Sequence, residues 1–310
     1  MTRFFGSCYS EGAVHIPDGF LSPPVWVSLD VAAVPVLAGA VRRAQRRFDE
    51  ARLPLLGVMG AFVFAAQMIN FPVGVGTTGH LVGGALLAYT LGASPAMVVM
   101  SAIICIQALV FQDGGILALG PNLLNMAILG VLAGYVPFRL WGGGRWRRPA
   151  IFVGAALSVL TSACCALAEL FLSGIRMPPA MLAVSLVLFL VSALLEGAIT
   201  LAVIEALQVL APNAVRRPRM IGALGLVAIF LAAVGVLFAS TNPDGIQRLG
   251  QVAGIDGYAR RLFSTPFTGY ETALFANPWL RKATAGLAGL ALIYSACALI
   301  FRAAIRKRSA

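Results

Sequence analysis

The stretch Ile221–Ala239 runs without a single charged side chain and without alternation of polar and apolar residues. Several comparable runs follow one another along 310 residues, and a soluble fold of this size has no interior large enough to take them all. The chain is 59% hydrophobic and 11% charged, against about 45–50% and about 25% in soluble domains. Lipid is the solvent that admits such runs. A span needs roughly 20 apolar residues, and backbone groups in hydrocarbon must be satisfied within the segment, which selects helices. A barrel would require period-two alternation. The expected fold class is an all-α integral membrane protein of about nine transmembrane helices, near 23–41, 53–70, 80–93, 95–111, 119–137, 150–173, 181–210, 220–239 and 283–302. The third is short and begins among glycines and threonines, so it reads as a helix buried in protein or entered from a re-entrant loop.

The net charge of +11 is a matter of position. RRAQRRFDEAR (42–52), RLWGGGRWRR (139–148), RRPR (216–219) and the tail from Arg302 hold most of the 23 lysines and arginines. With nine spans all four segments fall on one side, which the positive-inside rule makes cytoplasmic. The expected topology in a bacterial-type inner membrane has the N-terminus outside and the C-terminus in the cytoplasm. The basic excess is then a topology signal, and no nucleic-acid partner is expected. Cys8, Cys105, Cys164, Cys165 and Cys297 match no zinc spacing and read as small packing residues.

Residues 240–281 break the apolar pattern with a polar external stretch carrying Asp244, Asp256 and Glu271. The composition suggests a core over 14–219 followed by a two-helix module over 220–310 with that loop between its helices. TNPDGI (241–246) echoes HIPDGF (15–20), but Pro-Asp-Gly is ordinary turn chemistry and implies no duplication.

Only two histidines occur. His15 lies in GAVHIPDGF, just before the first apolar run, and His80 in NFPVGVGTTGHLVGG, after the second. Both fall on the external side of the expected topology. Imidazole suits nickel, cobalt, copper and zinc, yet each ring would also serve as an interfacial residue satisfied by its own surroundings. The five glycines of 74–84 favour close backbone approach, which would let that loop fold toward the N-terminal segment.

HIPDGFLSPPVW (15–26), QMINFPVGVGTTGHLVGGALLA (67–88) and FQDGGILALGPNLLNMAILG (111–130) resemble the membrane-embedded, metal-binding component of energy-coupling-factor transporters for cobalt and nickel, over roughly residues 14–210. PDGIQRLGQVAGIDGY (243–258) more loosely resembles the small companion subunit with a PDGLE signature, with Ile246 and Gln247 where the signature has Leu and Glu. The resemblance implies the substrate-capture component of an ATP-driven importer of Ni(II) or Co(II). It also implies a transmembrane coupling subunit and cytoplasmic ABC-type ATPases as partners, and no resident cofactor.

The resemblance further implies a metal held by a free terminal amine, by the backbone nitrogen and imidazole of the second residue, and by the histidine of the GTTGH loop. In this sequence those positions are Val14, His15 and His80. The family's mature chain begins with Met, where this one has Val14 preceded by thirteen residues. A nitrogen inside a peptide bond is a poor ligand. MTRFFGSCYSEGA lacks the apolar core of a signal peptide, so residues 1–13 are expected to be a misassigned or processed extension, with Val14 decoded from a GTG start. Four nitrogens around one ion form a planar set suited to Ni(II) or Cu(II), and one that low-spin Co(II) also accepts. Asp18, Gln67, Asn70, Thr77 and Thr78 are candidate supports for the imidazoles.

Asp30, Gln107, Asp113, Asn122, Asn125, Glu169, Glu196 and Glu205 lie in or beside apolar runs, where acids are costly and commonly functional. They leave open a proton-coupled secondary carrier. A metal-dependent membrane enzyme is a further alternative, although no general base accompanies either histidine. GxxxxGK[ST] is absent, so ATP hydrolysis is expected on another polypeptide.

Overall fold

The computed structural model describes residues 15–46, 50–74, 76–210, 218–240 and 242–309. The extension 1–13 and Val14 lie outside the described residues, as do Cys8 and the first two arginines of RRPR. The described chain is an all-α membrane protein with one small hairpin. Helix α1 (Pro23–Arg46) opens on two prolines, which suit a first helical turn, and closes on Arg43 and Arg46, cations that complement a helix C-terminus. Val27, Val31, Val34 and Val36 face outward from it, as lipid-facing residues do.

Helix α2 (Leu53–Gln67) is apolar all round and buried along almost its whole length, the pattern of a core helix. It ends earlier than the expected span 53–70. Met68–Asn70 turn the chain into strand β1 (Phe71–Gly74), which pairs antiparallel with β2 (Thr77–Gly79); Pro72 could not continue a helix in any case. Helix α3 (Gly84–Leu91) is the expected short third element. Its eight residues are almost wholly buried and rise only about 12 Å, against a hydrocarbon core of about 30 Å.

Helices α4 (Ala93–Phe111), α5 (Leu119–Trp141), α6 (Arg147–Leu172) and α7 (Pro179–Leu210) follow, then α8 (Pro218–Ala233), a short α9 (Gly245–Ala253) and α10 (Pro278–Ser309). Of the nine expected spans, seven are long and apolar enough to cross a membrane: α1, α4, α5, α6, α7, α8 with the turn that extends it to Leu237, and α10. The two short ones, α2 and α3, are interior helices. Helix α6 lies between α5 and α7, while α8 and α10 pack on each other and both run along α2. Phe64, Met100, Ile103, Phe111 and Ile293 belong to the main core.

Several polar side chains in or beside the helices are paired. Tyr89 donates to the carbonyls of Gly134 and Ile151. Glu196 accepts from the amides of Val82 and Gly83, and Glu169 accepts from Asn125. Glu205 pairs with Arg147 and Arg148. The four described cysteines are unbridged.

Two helices widen where they approach one end of the bundle. The last turn of α4, Gln107–Phe111, and the stretch Leu123–Gly130 of α5 are π-helical, a geometry frequent at functional sites. Between them Gln112 adopts a left-handed conformation, with φ 57°, and releases the chain into the turn 113–118. The segment after α8 returns to the same end. Ser240 donates from its amide to the Asn70 carbonyl, and the Thr78 amide donates to Pro243.

Candidate metal centre

Four chain segments converge at that end: residues 15–21 before α1, residues 77–83 between β2 and α3, the turn 113–118 between α4 and α5, and the 242–270 region. The first is held almost entirely through its backbone. Asn122, in the first turn of α5, accepts from the Ile16 amide at 2.8 Å and donates to the Ile16 carbonyl at 3.1 Å. The Gly115 amide donates to the same carbonyl at 2.8 Å. Asp18 accepts from the amides of Ile116 and Leu117. Burial raises the Asp18 carboxyl above its ordinary value, against the lowering effect of those amides. Gly115 is required here, because a Cβ would sit 2.4 Å from Asp18 Oδ1. Below the turn, Ile16, Phe20 and Leu21 pack with Ala163, Leu167, Phe189, Ile246 and Leu249, so residues from α6, α7 and α9 all grip the segment that carries His15.

The second segment is gripped from three sides. Glu196 of α7 holds the Val82 and Gly83 amides, and Gln67 of α2 donates to the Val82 carbonyl at 2.8 Å. The Thr78 hydroxyl donates to the Asn242 carbonyl. His80 Nδ1 lies 2.8 Å from the Leu81 carbonyl. A carbonyl only accepts, so the proton sits on Nδ1 and the lone pair on Nε2. Burial pushes the ring down to about 4, with the neighbouring Leu81 carbonyl acting in the other direction. His80 is therefore neutral at physiological pH, as a ligand must be.

The two imidazoles meet. Their centroids are 6.3 Å apart with planes tilted by 30°, although 64 residues separate them in the chain. His15 and His80 are both buried. His15 Nδ1 approaches Asp113 Oδ1 at 3.3 Å, within ion-pair range but without hydrogen-bond alignment. Neither ring nitrogen of His15 has a hydrogen-bond partner among the described residues. Burial alone would raise Asp113, but the His15 charge and contact, with a hydrogen bond from Tyr270, outweigh it and hold the carboxyl below its usual range.

Among the described residues, His, Cys, Asp and Glu form no group of three that could hold a metal. The expected third member, Val14, lies outside the described residues. Of the five expected supports, Asp18 accepts from backbone amides, Gln67 and Thr78 donate to backbone carbonyls, Thr77 is buried, and Asn70 is buried with its carbonyl taken by Ser240. Asp18, Gln67 and Thr78 thus contact the two loops through the main chain.

Three residues that the sequence does not tie to the two histidines belong to this constellation. Asp113 reads as a turn residue in FQDGG, and Asn122 as one polar residue among several in apolar runs. Tyr270 carries no signal at all. A cavity of about 230 Å³ opens beside His15, lined also by Asp18, Asp113, Gln247 and Arg260.

The family described as "Cobalt uptake substrate-specific transmembrane region" matches residues 15–214. A metal transport protein of Haloquadratum walsbyi is 48% identical over 128 residues, 41% of this chain and 59% of that protein. A fused nickel transport protein, LarMN, of Lactiplantibacillus plantarum is 39% identical over 52% of this chain and 50% of its own length. The match thus spans little more than half of those two relatives. A fused nickel transport protein, NikMN, of Archaeoglobus fulgidus is 33% identical over 73% of this chain and 76% of its own. A crystal structure of a transition metal transporter superposes with a TM-score of 0.56 at 32% identity, covering 65% of this chain and 95% of that one. These relatives are named for transport, none for an enzymatic activity.

Proposed function

This chain belongs to the cobalt-uptake substrate-specific transmembrane family, and from that premise we propose that it captures Ni(II) or Co(II) at the external face as the substrate-binding component of an energy-coupling-factor importer. The observation that carries the proposal is the meeting of the chain's only two histidines, buried and ring to ring at 6.3 Å. The proposed donors are the Val14 amine, the backbone nitrogen and Nδ1 of His15, and Nε2 of His80, with Val14 as first residue of the mature chain. A chelate from a backbone nitrogen to its own imidazole closes a six-membered ring only through Nδ1, so the incoming ion displaces the Asp113 contact from that atom. Three donors from adjacent residues share fused rings, which holds them in a plane, the geometry preferred by Ni(II). The deprotonations required couple uptake to proton release.

The fused arrangement in LarMN and NikMN supports reading residues 220–310 as an attached companion module, with the 240–281 loop external, the N-terminus outside and the C-terminus cytoplasmic. A transmembrane coupling subunit and cytoplasmic ATPases on separate chains supply the work. Engagement of Glu169 and Glu196 by Asn125 and by backbone amides favours an anchoring role over a proton path for those acids. Uptake of labelled nickel or cobalt into cells expressing the chain with its partner ATPase tests the reading. Accumulation that stops when the ATPase carries an inactive Walker lysine supports it. Accumulation that persists at the same rate contradicts it and indicates a carrier.

A further inference from the structure

We propose that Tyr270 is a positioning residue for the metal centre, its hydroxyl joining the Asp113 carboxylate that faces His15 to the hydrogen bonds that hold the His80 loop. The inference rests on the proposed metal-binding role of the two histidines. It concerns a residue outside the region matched by the family, on the segment that leads from α9 into α10.

The chain of contacts is directional. Gln67 Nε2 donates to the Val82 carbonyl at 2.8 Å. Gln107 Nε2 spends one hydrogen on Gln67 Oε1 at 3.0 Å and the other on the Tyr270 hydroxyl at 3.1 Å. With its oxygen accepting from Gln107, Tyr270 turns its own proton to Asp113 Oδ2 at 2.5 Å. The other oxygen of Asp113 faces His15 Nδ1 at 3.3 Å. Reversing the Gln107 amide would set oxygen against oxygen at Gln67, so neighbours fix the order of donors and acceptors. Tyr270 thus links the His15 side and the His80 side of the centre along this path.

Its placement is enforced. The Tyr270 ring stacks on Phe111 with centroids 4.8 Å apart and planes 14° apart, and lies 6.1 Å from Phe64. The residue is buried, yet its backbone sits at φ 57°, a conformation uncommon for a bulky side chain. Such a conformation persists only where the surroundings over-determine it. Here stacking and two buried hydrogen bonds do so. When an ion takes His15 Nδ1 from Asp113, the Tyr270 bond keeps the freed carboxylate in place beside the site, a negative charge next to the incoming cation.

Tyr270→Phe keeps the ring and its stacking and removes only the hydroxyl, while Gln107→Met cuts the chain on the His80 side. Both are made in the mature chain that begins at Val14, in detergent, and titrated with Ni(II) by calorimetry, with the ligand-field absorption of the bound ion recorded. The expected results are a loss of affinity of tenfold or more in each, a shifted absorption band in Tyr270→Phe, and a double variant no weaker than the worse single, because the residues act as a unit. Wild-type affinity and band position in Tyr270→Phe overturn the proposal. Should that variant fail to fold, wild-type affinity in Gln107→Met overturns it equally. Absence of stoichiometric binding by the unaltered protein contradicts the metal-binding role itself and is distinct from either result.

Discussion

At the residue scale, a single buried imidazole links stability to pH. His80 is neutral in the folded chain, with its ring pushed down to about 4 by burial, whereas an unfolded histidine takes a proton near 6.5. The unfolded state therefore binds more protons between those values, and stability is complete above about pH 6.5 and lost as pH falls toward 4. The contribution is on the order of 3 kcal/mol. Thermal unfolding of the metal-free protein in detergent checks this: the midpoint should drop across that window and drop less in His80→Phe, while equal drops would refute the assignment. The two histidines stand out in the sequence because imidazoles are so scarce there, and the fold brings them together. The part played by Asp113 and Asn122 is not legible there, since Asp in a Gly-rich turn and Asn near a helix start have ordinary local uses. Their roles here depend on which backbone groups the fold sets opposite them.

At the element scale, the long spans were legible from apolar runs, and the short third helix from its length. The early end of α2 was harder to read, because Met68 and Ile69 are as apolar as the helix they terminate. Helix α9 was hidden inside a stretch read only as a polar loop. Asp244 caps it by accepting from the Gln247 amide, and the adjoining Pro243 carbonyl receives the Thr78 amide. An N-cap of this kind is worth about 1 kcal/mol. Asp244→Ala should therefore loosen α9 and, with it, the strand leading to His80. Hydrogen exchange should accelerate over residues 76–80 and 245–253 and stay unchanged in α6. Unaltered exchange at Thr78 would show that the 242–244 segment does not brace the GTTGH loop.

At the scale of the whole molecule, the charge asymmetry suggested an orientation that the bundle alone does not carry. Gly143, in the turn between α5 and α6, and Gly257, after α9, are both exposed with open space around a substituted Cβ. In a cysteine-free background, Gly257→Cys should react with a membrane-impermeant maleimide in intact cells and Gly143→Cys only after lysis. The opposite pattern would invert the proposed topology. What the sequence could not convey is the return of the C-terminal segment over the His-bearing end. Contacts such as Tyr270 to Asp113 and Pro243 to Thr78 join residues more than 150 positions apart, and no local periodicity encodes them.

The central claim is that His15 and His80 share one divalent ion with nitrogen donors from the chain's start. X-ray absorption of the purified protein loaded with one equivalent of Ni(II) tests it most directly. The account predicts a planar, all-nitrogen first shell with an imidazole scattering pattern that disappears, along with binding, in both His15→Ala and His80→Ala. A sulfur- or oxygen-dominated shell, or an unchanged spectrum in either variant, would contradict it.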